Sequence, residues 1–156
     1  MQMMIFWKMV TNHKYKCASP MRYRGENTMT QQERNTIATQ QAPGAIGPYS
    51  QAVQYGNLLF TSGQLGMDAS GHFAPTVEEQ AKRSLLNVKA ILEAAGFGME
   101  HIVKTTVFLK DMNDFQAVNE VYASFFAEPY PARSAVEVAR LPKDGLVEIE
   151  VVASKS

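Results

Sequence analysis

The spacing of hydrophobic and polar positions changes several times along the chain. AVQY (52–55) and LLFTS (58–62) are short runs rich in branched and aromatic residues, split by Gly56-Asn57. Two such runs around a two-residue break predict an antiparallel hairpin. A Gly-rich loop follows, in which Asp68-Ala-Ser-Gly71 carries turn chemistry. The period then lengthens. Ala81, Leu85, Val88, Leu92 and Ala95 recur at alternating spacings of four and three, one apolar face of a helix. Thr76 is placed to cap that helix, Glu79 to complete a capping box, and Gly96 to stop it. Ile102 to Lys110, rich in Val and Thr, reads as a strand. Asp114 opens a second helix with Phe115, Val118, Tyr122 and Phe125 on one face, ended by Pro129 and Pro131. Two more strands, Ser134–Leu141 and Leu146–Ala153, flank the turn Pro142-Lys143-Asp144-Gly145.

The order β-β-α-β-α-β-β predicts an α/β (α+β) fold, a single sheet with two helices on one face. The strands supply Val, Ile and Thr on both of their faces, so the second face of the sheet needs cover, most simply from another copy of the chain. In the last strand Val147, Ile149 and Val151 point one way, and Leu146, Glu148, Glu150 and Val152 the other. If the turn at 142–145 closes a simple hairpin, Leu141 faces Leu146 and Ala139 faces Glu148. Arg133 then lies roughly 20 Å from Glu148 along the strand, so the two could hold one small ligand only across an interface between copies.

Composition narrows the function classes. The 156 residues, 46% hydrophobic and 19% charged, suit one soluble domain with a full core. The single cysteine, Cys17, excludes an intrachain disulfide and a cysteine-based metal site. His13, His72 and His101 match no metal motif. Charge is uneven. Residues 1–28 hold five bases and one acid, net +4, and residues 29–156 hold ten bases and fourteen acids, net −4. An acidic domain is a poor match for a phosphate backbone, so no nucleic-acid partner is expected. The opening run MQMMIFWKMV is broken by Lys8 and is too short to span a membrane. It also lacks the charged-then-apolar order of a secretory signal, and the expected location is cytoplasmic. Residues 1–34 read as a basic extension, with translation starting at Met29 and an organelle-targeting peptide as the alternative. Residues 35–156 read as the domain.

No phosphate loop, nucleophile elbow or metalloprotease string is present. Five places carry candidate chemistry. Arg133 follows a stiff Pro-Ala step, which suits a planar fork of donors for a carboxylate, or a plain surface arginine. Tyr49 follows Gly47-Pro48, and its hydroxyl either meets a ligand or closes the sheet. Gly63, after Thr61-Ser62 at a strand end, either lets an anion reach the backbone or forms a bulge. Asn119 faces a cleft or solvent. Glu148 and Glu150 face water, or one is held with a raised pKa suited to moving protons.

Four segments then carry a resemblance. IGPYSQA, TSGQ, IVKTTVFLKDMNDFQAVNEVY and YPARSAVEVARLPKDGLVEIE closely resemble the reactive intermediate deaminase family (Rid, or YjgF) in its RidA branch, over about residues 35–153. The resemblance implies a chorismate-mutase-like fold and a homotrimer with sites between subunits. It implies hydrolysis of 2-imino acids and their enamines, such as 2-aminoacrylate and 2-aminocrotonate, to 2-keto acids and ammonia, with no cofactor. By position, the family's carboxylate-gripping arginine falls on Arg133, its tyrosine on Tyr49, its serine and glycine on Ser62 and Gly63, its asparagine on Asn119 and its acid on Glu148. Many members carry cysteine where this chain has Ala135. Water suffices as nucleophile toward an imine, and the Ala135 carbonyl still offers an acceptor, so activity is expected to survive. The alternatives are a non-catalytic trimer that senses keto or imino acids or acts like a chaperone, and an endoribonuclease.

Overall fold

A computed structural model describes residues 33–155 of the chain. The extension expected over 1–34 therefore lies almost wholly outside the described residues. Its last position, Arg34, opens the first strand. In chain order the elements are β1 (Arg34–Ile37), β2 (Ala52–Tyr55), β3 (Leu58–Thr61), β4 (Gln64–Leu65), α1 (Val77–Ala94), β5 (Ile102–Leu109), α2 (Phe115–Ala123), β6 (Ala132–Glu137) and β7 (Val147–Ser154). The strands form one mixed sheet in the order β1-β2-β3-β7-β5-β6, with β4 also paired to β7.

Alternation in β7 sets the layers. Val147, Ile149, Val151 and Ala153 are buried, while the residues between them are half-buried. The buried row packs on Leu85, Val88, Ile91 and Leu92 of α1 and on Val118 and Tyr122 of α2. Both helices thus lie on one face, as the pattern predicts. Each such side chain contributes roughly 1.5–3 kcal/mol on burial. Helix α1 also ties down the strand ends. Asn87 Nδ2 donates to the carbonyls of Leu65 and Met67. Gln80 accepts from the Leu146 N–H and donates to the Ala74 carbonyl.

The β2–β3 hairpin forms as expected, with Gly56 at φ 59° in its turn. Thr76 accepts from the Glu79 N–H and Gly96 stops α1 at φ 72°. Among the described residues no reciprocal bond from the Glu79 side chain accompanies it. Helix α2 ends at Ala123, so Phe125 lies past its end and the turn is completed before Pro129.

The expected hairpin between the last two strands does not exist. Strand β5 lies between β6 and β7, parallel to the first and antiparallel to the second. Strand β6 ends at Glu137, and the chain then leaves the sheet. Leu141 is buried with Leu65 and Met67 in a second small cluster, beside Phe73, Phe108 and Val138. Lys143 and Asp144 follow in left-handed conformations at φ 54° and 60°. A segment drawn off to bury Leu141 cannot also pair with β7. Strand β5, eight residues of Ile, Val, Thr, Phe and Leu with one Lys, takes the central place instead.

Candidate active site

Strand β3 pairs with β7 through Leu58–Ser154 and Phe60–Val152, and β4 through Gln64–Ile149 and Leu65–Glu148. Between these ladders Thr61, Ser62 and Gly63 oppose only Glu150 and Val151. That extra residue is a β-bulge, and it bends the strand around the Glu148 carboxylate. A Cβ placed on Gly63 would overlap that carboxylate. The bulge reading of Gly63 therefore holds, and the group that crowds its backbone is the chain's own Glu148 carboxylate. Thr61 Oγ1 repairs the broken ladder by accepting from the Val151 N–H at 3.0 Å. Ser62 Oγ donates to the Ser50 carbonyl at 2.7 Å, and the Ser62 N–H to the Gln51 carbonyl. Among the described residues no acceptor takes the Gly63 N–H.

A cavity of about 520 Å³ opens beside the bulge. Tyr49, Ser62, Gly63, Glu148 and Glu150 supply its polar lining, and Ile46, Leu65, Met67, Pro43 and Pro142 its apolar lining. The Tyr49 hydroxyl accepts from the Ile46 N–H at 3.2 Å, which leaves its proton free to donate. Buried Gln51 holds the loop that carries Tyr49. Its amide donates to the Pro43 carbonyl at 2.8 Å and accepts from the Thr39 N–H at 2.6 Å. Gln51 follows the IGPYS string directly, but nothing in its residue type marks it as a loop anchor.

Burial, and then the neighbouring Glu150 charge, hold the Glu148 carboxyl above its ordinary value of 4.5. Glu148 is half-buried and lines the cavity, so it does not stand at an open edge of the sheet. A proton-moving group tuned toward neutrality is favoured for general acid–base work.

Arg133, Ala135 and Asn119 lie elsewhere. Arg133 pairs with Thr105, whose partner on the far side is Val151 of the buried row. Arg133 and Ala135 therefore point to the helix side of the sheet, whereas Glu148 points to the open side. Three steps along the strands and two across place the Arg133 and Glu148 backbones roughly 14 Å apart. The 20 Å estimate, built on the absent hairpin, is thus replaced by a shorter distance and an opposite face. The conclusion is unchanged: one chain cannot present both side chains to one small ligand. The guanidinium lies over the rings of Tyr122 at 4.5 Å and Phe115 at 5.6 Å. Asn119 is half-buried between those two rings on the same stripe of α2, so it faces the β6 side rather than open solvent. The described residues thus form two half-sites, one around Glu148 and one around Arg133.

The model of a protein family described as endoribonuclease L-PSP matches residues 39–155. A 2-iminobutanoate/2-iminopropanoate deaminase from Salmonella typhimurium is 57% identical over 76% of this chain and 95% of its own length. A RutC family protein from Pyrococcus horikoshii is 52% identical over 78% of this chain and 98% of its own. The crystal structure of E. coli TdcF with bound serine superposes with a TM-score of 0.76 at 52% identity, covering 78% of this chain and 99% of that one. The YjgF gene product of E. coli matches with the same TM-score at 55% identity, again over 78% of this chain and 99% of that one. On sequence and fold together, the chain belongs to the Rid/YjgF family.

Proposed function

We propose that this protein hydrolyses reactive 2-imino acids, and the enamines in equilibrium with them, to 2-keto acids and ammonia. The observation that carries this reading is the Glu148 carboxylate, its pKa raised, set against Gly63 in a cavity of small-molecule size. The relatives named as 2-iminobutanoate/2-iminopropanoate deaminases support the substrate class. The relative crystallised with serine holds a molecule with the same carboxylate-and-nitrogen pattern.

The two half-sites combine in the proposed assembly, a homotrimer in which the Glu148 half of one subunit meets the Arg133 half of the next. The guanidinium of Arg133 and the free N–H of Gly63 take the substrate carboxylate, which orients C2. Tyr49 and Ser62 supply further hydrogen bonds, with Asn119 and the Ala135 backbone closing the Arg133 side. Glu148 holds a water and takes its proton as the oxygen adds to C2. That proton then passes to nitrogen, the carbinol hydroxyl gives its own proton to Glu148 as its electrons form the C=O bond, the C–N bond breaks and ammonia leaves. No thiol is consumed, so alanine at 135 is compatible with turnover.

The test couples a serine/threonine dehydratase, which releases 2-aminoacrylate from serine, to a pyruvate readout. Faster pyruvate formation is expected, lost in Arg133→Ala and Glu148→Ala. Loss of the guanidinium costs on the order of 2–5 kcal/mol. No acceleration by a folded oligomer would overturn the deaminase reading in favour of a keto- or imino-acid sensor.

The family's ribonuclease description motivates a second reading, which the geometry disfavours. Neither described histidine lines the cavity. His72 sits on the Asp68 turn, and the His101 ring nitrogen accepts from the Gly98 N–H. Glu148 and Glu150 would repel a phosphodiester there.

A further inference from the structure

Tyr122 is a buried aromatic that the proposed reaction does not touch, yet three contacts fix its ring. Its hydroxyl shares a hydrogen bond with Thr105 Oγ1 at 2.9 Å, and both residues are buried. Phe126 stacks on the ring at 4.4 Å between centroids with a 28° tilt. The Arg133 guanidinium lies 4.5 Å from the same centroid. Phe126 and the guanidinium thus both press on the Tyr122 ring, which links α2 to Arg133. Phe115, two helical turns earlier on the same stripe of α2, flanks the guanidinium at 5.6 Å.

We propose that Tyr122 is a positioning residue for Arg133, its ring locked by Thr105 and Phe126 so that the guanidinium is held by its flat face. A stacked guanidinium keeps its N–H edge free, and that edge is what grips a carboxylate with two parallel bonds. Among the described residues Arg133 forms no ion pair. The aromatic face therefore holds it without competing for the donors that a ligand needs. Arg133 is exposed on an edge strand, and unstacked its long chain would sample many rotamers. Tyr122 removes that freedom before a ligand arrives.

The proposal rests on the reading of Arg133 as the carboxylate grip, and a double-substitution cycle separates the two. Tyr122→Leu is expected to raise KM roughly tenfold with a smaller change in kcat, the size of one cation–π contact. On an Arg133→Ala background, assayed at enzyme concentrations that keep residual turnover readable, Tyr122→Leu should change nothing further. Tyr122→Phe, which keeps the ring and frees it from Thr105 at a cost of about 1–3 kcal/mol in stability, and Phe115→Leu, at a half-buried position, are expected to raise KM about threefold in proteins that still melt cooperatively. These two carry the test if Tyr122→Leu does not fold. Wild-type KM in all three single variants, with Arg133→Ala impaired, overturns the positioning role alone. An equal loss from Tyr122→Leu with and without Arg133 also overturns it, because the ring would then act by another route. Wild-type efficiency in Arg133→Ala removes the grip reading and this proposal with it.

Discussion

Gly63 and the Glu148 carboxylate occupy adjoining space so closely that no side chain fits at position 63. Gly63→Ala should therefore act on Glu148. A methyl group there pushes the carboxylate aside by about 1 Å, and kcat/KM is expected to fall on the order of 10²-fold. Circular dichroism should report an unchanged fold. Glu150 acts on the same carboxylate through charge. Its repulsion adds to burial in raising the Glu148 pKa. Glu148 must be ionised to take a proton from water, so activity rises with pH through that pKa. Glu150→Gln removes the repulsion and lowers the pKa. The acid limb of the kcat/KM profile is then expected to move to lower pH, and a limb that stays in place would separate Glu150 from the proton transfer. The sequence alone leaves Glu148 undecided between solvent and a site, because alternation assigns a face and not a depth. The deciding facts are the bulge at Gly63 and the cavity that Glu148 shares with Tyr49, both non-local.

Elements governed by local rules were legible in advance, and those governed by competition between segments were not. The 76–96 stretch predicted α1, its cap and its stop, since the cap, the apolar stripe and the glycine all lie within one window. Thr76→Ala should cost about 1 kcal/mol, read as a lower denaturation midpoint with an unchanged slope. The pairing of β6 and β7 was misread because proximity in sequence favours a hairpin. Which strand sits in the middle depends on long-range burial, and Leu141 leaves the sheet to reach Leu65 and Met67. Strands β1 and β4 were missed for a related reason. RNTI is polar and QL is two residues long, so each is a strand only because a partner edge is present.

Among the described residues, helices cover the sheet on one side only. Tyr55, Phe60 and Val136 stand 48%, 45% and 42% exposed on the other, beside Phe108 and Val152. No helix among the described residues is long and apolar enough to cross a membrane. A second copy is the simplest cover for such a face, and the proposed trimer supplies it. The sequence pattern pointed to this cover without specifying its geometry, since apolar residues on both faces of a strand say that a partner exists and not where it sits. The opposite orientations of Arg133 and Glu148 have a genetic counterpart. If each chain lends its guanidinium to one neighbour and its carboxylate to the other, a lesion in either residue is recessive to a different lesion in the next subunit. Arg133→Ala and Glu148→Ala proteins, each inactive alone, should complement when unfolded together and refolded as a mixture. At equal proportions roughly a quarter of the sites regain both groups. A mixture as inactive as its parts would break the proposed arrangement, since Arg133 and Glu148 would then not meet at one site.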